Sequence, residues 1–245
     1  MESANAKEFA RISADLLAEP QEPATLRSIV EGVVETVPAC DFASISLRTK
    51  GGNVETPVST SPIVDACDEL QYQMREGPCL GAIWTGETYV VEDIAHDPRW
   101  PNWGPAAAAE GAGSIVSVRL FTSSQVMGAL NIYAGEPFAF TPEDVDLATV
   151  FAVHAATALS AAKVVSDLQT AVLNRHTIGI AQGILMNRYG LTKERSFEVL
   201  RRYSSRTNTK LREVAQYVVD SGSLPVEAPR SAEGGSRRRR GTTRP

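Results

Sequence analysis

Phe140-Thr141-Pro142-Glu143-Asp144 opens the stretch of this chain that most firmly dictates its own secondary structure. Thr is a good N-cap, Pro suits the first helical position, and acids in the first turn meet the positive end of the helix dipole. No further Pro or Gly follows until Gly179, so a helix of 47 residues is predicted from Pro142 to about Arg188. At 1.5 Å per residue this is about 70 Å, longer than ordinary globular helices and in the range of coiled coils. Phe151, His154, Ala158, Ala161, Val165, Leu168 and Val172 step alternately by three and four. Few of them are large, so a single strand would not be stable alone. The expectation is a parallel homodimer stalk through residues 147–172; a helix folded back on its own domain is the alternative.

This helix divides the chain electrostatically. The net charge of -5 hides 9 Lys and Arg against 22 Asp and Glu in residues 1–163, and 15 against 7 in residues 164–245. Opposite signs in two halves argue for two domains with different partners, and phosphate backbones attract only the second.

Ahead of the long helix, Phe9, Ile12 and Leu16 fit a helix over residues 4–18. Leu26, Ile29, Val30, Val33 and Val37 define a second between Pro23 and Pro38. A strand-rich region follows. Ala43, Ile45 and Leu47 alternate with Phe42, Ser44 and Ser46; Gly51-Gly52-Asn53 forms a turn before a short strand around Val54–Val58; a further strand carries Tyr89 and Val91. SIVSVRLF and QVMGALNIYA form a hairpin about Thr122–Ser124. Val116, Val118 and Leu120 are expected on one face, matched by Val126, Leu130 and Ile132, with one side of the pair on a core. The predicted class is α+β: an antiparallel sheet flanked by helices, a long connecting coiled-coil helix and a C-terminal three-helix bundle.

In that bundle Thr192 caps a helix with Phe197, Leu200 and Tyr203 on its apolar face. A last helix carries Leu211, Val214, Ala215 and Val218, and ends at Gly222. Residues 226–245, rich in Pro, Gly, Ser and Arg, read as a disordered basic tail. Arg237–Arg240 would either be solvated or attract RNA non-specifically.

The N-terminus does not read as a signal peptide, and the absence of an apolar run of about 18 residues argues against a membrane span, which places the chain in the cytoplasm. Cys40, Cys67 and Cys79 form no CxxC pair, so neither a disulfide framework nor a zinc site is indicated. Buried thiols are the plain reading, a redox-sensing Cys79 the other. His96, His154 and His176 are dispersed, and no Ser or Cys lies in a nucleophile motif. No catalytic residue, metal or cofactor is therefore assigned, and the chain is not expected to be an enzyme.

Residues about 168–222 resemble an ANTAR domain, the RNA-binding output module of bacterial transcription antiterminators. The resemblance rests on Arg175, Ile178, Gly179, Ala181, Gly183, Leu185 and Met186, then on Phe197, Leu200, Ser204, Asn208, Lys210, Leu211, Val214 and Ala215. Residues about 5–163 resemble a GAF domain of the kind fused to ANTAR modules in actinobacteria, through Glu76-Gly77-Pro78-Cys79, Asp93, Asp97-Pro98-Arg99-Trp100, Ser114, Val118, Gly128-Ala129-Leu130-Asn131 and Phe140-Thr141. The domains would be a GAF sensor over 1–163 and an ANTAR domain with its stalk helix over 164–225. The resemblance implies dimerisation through the stalk and binding of paired RNA stem-loops near a terminator, under control of an unknown small-molecule or protein signal at the GAF domain. A sensor whose bundle serves protein contacts instead of RNA is the alternative, and a DNA-binding helix-turn-helix a weaker one.

RNA loops need cations for phosphates and side chains that stack on or hydrogen-bond splayed bases. Arg175 and Gln182, seven apart, share a helix face, as do Arg195 and Arg202. Arg188, Arg201, Lys210 and Arg212 add charge, Ser204 is a candidate contact to bases or phosphates, and Asn208 either contacts RNA or caps a helix. Gly179 and Gly183 are expected to pack helices within the bundle. Tyr189, Tyr203 and Tyr217 could stack on bases, burial being the simpler role for Tyr203. For the sensor, Trp100 and Trp103 are weak pocket candidates, Trp84 is better explained by core packing, and Arg119 is the basic residue of the hairpin strands.

Overall fold

A computed structural model describes residue 14 and residues 21–49, 51–123 and 125–224 of the chain. Apart from Ala14, the helix expected over residues 4–18 lies outside the described residues, as does the tail from Val226 with Arg237–Arg240. The chain divides into two compact units at Gln169/Thr170.

The N-terminal unit is built on five antiparallel strands: β1 (Phe42–Arg48), β2 (Val54–Ser59), β3 (Tyr89–Val91), β4 (Ser114–Phe121) and β5 (Val126–Ala134), in the order β2-β1-β5-β4-β3. One face carries Ala43, Ile45, Val116, Val118, Leu120, Leu130 and Ile132. It packs against Ile29, Val30 and Val33 of α1 (Glu22–Thr36) and against Phe151, Ala155 and Leu159 of α5 (Pro142–Tyr189). The Thr141 cap expected at the head of α5 is present and proves reciprocal: the Thr141 amide donates to the Asp144 carboxylate at 2.9 Å and the Asp144 amide to Thr141 Oγ1 at 3.3 Å.

The other face is also covered, which alternation in the strands did not foretell. Three helices lie over it: α2 (Pro62–Met74), α3 (Pro78–Thr85) and α4 (Trp103–Ala109). Pro62 and Pro78 mark the starts of the first two, with Ser61 Oγ accepting from the Ile63 amide. Ser44, Ser46, Ser117 and Asn131, which period-two reasoning assigns to the face away from the core, are therefore fully buried. The hairpin register also departs from expectation. Leu120 opposes Gly128 but Phe121 opposes Val126, so Met127 is an extra residue on β5. A bulge reverses side-chain parity, and Val126 consequently packs by Cys79, Ala82 and Ile83 under α3 instead of with Leu130 and Ile132. Beside the bulge, a Cβ on Gly128 would lie 1.8 Å from the Ser46 carbonyl oxygen. Backbone cannot yield as a side-chain tip can, so Gly128→Ala is expected to destabilise the unit by about 2–4 kcal/mol, read as a lowered urea midpoint at unchanged slope.

The expected seam needs correction in its first half. Phe151 and Ala158 are buried against the sheet, while Val150, Val153 and Val164 are exposed. The sheet takes Phe151 and Ala158, while His154, Ala161, Val165, Leu168 and Val172 of the expected seam are exposed. The expectation that no segment is apolar enough to cross a membrane is also qualified. One 18-residue window of α5 reaches a mean hydropathy of 1.5, although 44% of it is buried in the fold, as in a core helix.

In the C-terminal unit the end of α5 packs with α6 (Lys193–Thr207) and α7 (Leu211–Ser221) around Ala181, Leu185, Leu200, Val214, Ala215 and Val218. Thr192 caps α6, its side chain accepting from the Arg195 amide, and Asn208 and Gly222 end α6 and α7 in left-handed conformations. The inward stripe of α6 is Ser196, Leu200 and Tyr203. Phe197, expected inside, is 39% exposed. Ser196 is tied down instead, donating to the Lys193 carbonyl at 2.7 Å.

Candidate functional site

Residues 170–224 carry nine Lys and Arg against four Asp and Glu. Of the cations predicted to meet RNA, Arg175, Arg195, Arg201, Arg202, Lys210 and Arg212 are exposed. Apart from a 3.9 Å approach of Arg212 to Glu213, their side chains make no ion pair among the described residues. Charges without partners retain their full attraction for an incoming anion, whereas paired ones must first be released. The exposed Tyr189, Phe197 and Tyr217 belong to the same unit, and Phe197 is the stacking candidate that helical spacing concealed.

Four other predicted contact residues are engaged in the fold. Gln182 Nε2 donates to the Lys193 carbonyl at 3.0 Å and so ties α5 to the start of α6. Arg188 Nη1 donates to the Gly222 carbonyl at 3.0 Å, covering the C-terminal end of α7. Ser204 Oγ donates to the Thr209 carbonyl, and Asn208 is the left-handed C-cap of α6. Gly179 and Gly183 do not pack helices within the unit: a Cβ at either would meet nothing within 4 Å. They leave bare backbone on the open side of α5.

The N-terminal unit holds a second concentration of polar chemistry, between the sheet and α2. Asp68 is fully buried without a cation. Its carboxylate accepts from Ser44 Oγ at 2.6 Å, Thr56 Oγ1 at 3.0 Å and Tyr133 OH at 2.8 Å, and from Gln71 Nε2 and Asn131 Nδ2 at 3.3 Å. Burial raises its pKa, while the bonds from Ser44, Tyr133, Thr56 and Asn131 pull it down. Tyr72 OH donates to Ser46 Oγ at 2.7 Å and also meets Thr56 Oγ1 at 2.6 Å. Gln71 Oε1 accepts the Cys79 amide, joining α3 to the network.

The two units answer to two known families. Residues 20–160, more than half of the chain, match the family of the GAF domain. The chain belongs to the GAF domain family. Residues 166–219 match the ANTAR domain. Solved structures agree on the GAF fold. The GAF domain of the Acinetobacter phosphoenolpyruvate-protein phosphotransferase has a TM-score of 0.53 at 16% identity, covering 67% of this chain and 97% of that one. The corresponding domain from Coxiella burnetii has a TM-score of 0.53 at 17% identity, over 65% and 95%. Free methionine-R-sulfoxide reductase from Neisseria meningitidis, in complex with its substrate, scores 0.53 at 16% identity, over 65% and 90%. At such identities the likeness concerns fold alone. A search of curated proteins found no match. A GAF sensor joined to an ANTAR output fits a signal-responsive regulator.

Within the GAF domain the tryptophans change places relative to expectation. Trp103 is fully buried, donating from Nε1 to the Cys67 carbonyl at 3.0 Å, and Trp100 packs edge-on against it. Both are core. Trp84, expected in the core, is 52% exposed and has the Arg48 guanidinium 4.6 Å from its ring centre. It borders a groove of about 620 Å³ with Asn53, Glu69, Tyr72, Arg75 and Leu80. Helix α3 is too short for its apolar residues to reveal a buried face, so the sequence held no signal for this exchange. Arg119 lies with its guanidinium 4.5 Å from the Phe121 ring centre. Burial pushes all three cysteine thiols up to about 12, far from the thiolate character a redox sensor needs. His96, exposed at the end of a single 3-10 turn (Ile94–His96), pairs with Asp93 at 2.9 Å.

Proposed function

We propose that this chain is a signal-responsive, RNA-binding transcription antiterminator. Its ANTAR domain holds paired RNA stem-loops as a dimer, and its GAF domain sets when it does so. The observation that carries the reading is the set of exposed Arg195, Arg201, Arg202 and Lys210, which make no ion pair among the described residues, on a unit that also exposes three aromatic rings. Cations that track phosphates beside rings that accept unstacked bases are what single-stranded loops require. The signal is a small molecule, and the groove at Trp84 and Tyr72 offers it an aromatic wall. The chain acts by binding, not as an enzyme.

The test is a gel shift of a tandem stem-loop RNA at stated salt, against duplex DNA of equal length. A shift for RNA alone is expected. Arg202→Ala and Lys210→Ala should each weaken binding roughly tenfold and reduce the slope of log affinity against log salt by about 1. Unchanged affinity in both variants would remove the assignment. A chain that shifts neither nucleic acid would favour a bundle used for protein contacts.

A further inference from the structure

The layer between the sheet and α2 is packed with polar side chains. Ser44, Ser46, Asp68, Gln71, Asn131 and Tyr133 are fully buried there and bonded to one another, so a guest inside the layer would have to replace their hydrogen bonds. At its edge, α2, α3 and the β1–β2 turn frame the groove of about 620 Å³ that Trp84 and Tyr72 share with Val54, Leu80, Glu69 and Arg75, a volume in the range of small-molecule sites. We propose that this groove takes a small monocarboxylate with a flat apolar body, its carboxylate held by Arg48 and Arg75. The proposal rests on the reading that the signal binds in this groove, and it names the chemical class of that signal.

Charge selects the anion. Arg75 lines the groove, and Arg48 lies with its guanidinium 4.6 Å from the Trp84 ring centre. Neither side chain makes an ion pair or hydrogen bond among the described residues, although residues 1–163 hold 22 Asp and Glu against nine Lys and Arg. Glu69, the acid of the described lining, accepts from Gln73 Nε2 of its own helix at 2.9 Å. Two cations against one carboxylate leave a surplus of one positive charge, which a carboxylate neutralises and a doubly charged phosphate exceeds. A guanidinium stacked on an indole uses its face and keeps its N–H fork for in-plane, bidentate bonds, the geometry that a carboxylate accepts.

Shape selects the rest of the molecule. Tyr72 is fixed by its hydroxyl, which meets Ser46 Oγ at 2.7 Å and Thr56 Oγ1 at 2.6 Å. Trp84, 52% exposed, is steadied by Arg48, and Leu80 and Val54 add apolar lining. Aromatic walls that are in place before contact lose little freedom on binding, and they favour a flat guest. Tyr72 also joins the groove to the buried network, because Thr56 Oγ1 donates to Asp68 at 3.0 Å. A ligand resting on Tyr72 therefore touches the group of bonds that ties α2 to the sheet.

Calorimetric titration of the full chain with 2-naphthoate tests this. Naphthalene-2-carboxamide serves as a neutral copy of the same shape, and 2-naphthyl phosphate as the doubly charged one. The acid should bind roughly tenfold tighter than either. Arg48→Gln and Arg75→Gln should each weaken the acid roughly tenfold and leave the amide unchanged, whereas Trp84→Ala should weaken both roughly tenfold. All three residues are exposed, so circular dichroism and the melting midpoint should not move. Amide bound as tightly as the acid, phosphate bound more tightly, or acid affinity intact in both Gln variants overturns the carboxylate class and leaves the groove as a ligand site. No binding of any of the three probes, or binding that Trp84→Ala leaves unchanged, overturns the groove itself and the proposal with it.

Discussion

Asp68→Ala is expected to lower the stability of the GAF domain by about 3–5 kcal/mol, because it removes the acceptor shared by five donors, four of them on fully buried residues. Ser44, Thr56, Tyr133, Gln71 and Asn131 all point at that carboxylate, from β1, β2, β5 and α2. Rehydrating them would require opening the sheet–helix layer. The loss should appear as a lower urea midpoint for the GAF transition, and a change under 1 kcal/mol would show that the network is not what holds α2 to the sheet. Asp68→Asn keeps the shape and removes the charge, which makes it the probe of pH. The folded domain raises the Asp68 pKa above its ordinary 3.8, so the fold binds its proton more tightly than the unfolded chain does. The resulting contribution is fully present below that ordinary value and is lost as pH rises through the folded-state value. Wild-type stability should thus contain a component falling over this range that Asp68→Asn lacks. Parallel stability–pH curves would contradict the assignment.

The combined substitution Arg195→Glu, Arg201→Glu and Arg202→Glu should reduce RNA affinity by roughly 1000-fold at low salt, since each reversal removes an attraction and adds a repulsion. All three side chains are exposed and none makes an ion pair among the described residues, so the fold should survive and the melting transition of the ANTAR domain should stay in place. Added salt should narrow the gap between variant and wild type, because screening weakens attraction and repulsion alike. A gap that persists unchanged at high salt would mean that the arginines act through shape or folding and not through charge. Gln182 and Arg188 make the contrast. They tie α5 to α6 and α7, so their replacement should act on melting before it acts on RNA.

Much of the architecture was legible because it depends on local chemistry. The head of α5 is a Thr-Pro-acid cap, the ends of α6 and α7 are left-handed Asn208 and Gly222, and β4 and β5 pair as an antiparallel hairpin. The elements that escaped were α2, α3 and α4: α3 and α4 leave too few turns for a helical stripe to stand out, and the inward stripe of α2, Val64, Cys67, Asp68 and Gln71, is half polar. Their absence from the reading hid the second layer, and with it the reason why Ser44, Ser46 and Asn131 are buried polar residues.

The sequence by itself determined which half of the chain is cationic, where the long helix begins, and that a sheet with helices precedes a helical bundle. Charge and capping are properties of neighbours along the chain, so no tertiary information is needed to find them. Tertiary structure alone decided which stripe of α5 is covered. It likewise decided that Trp84 is open while Trp103 is core, and that Gln182 and Arg188 belong to the fold. In each case the residue type permits either fate, and the choice is made by what packs against it from a distant part of the chain. On α5 the sheet claims Phe151 and Ala158 of the expected stripe and leaves the rest of it facing outward, together with Val150, Val153 and Val164.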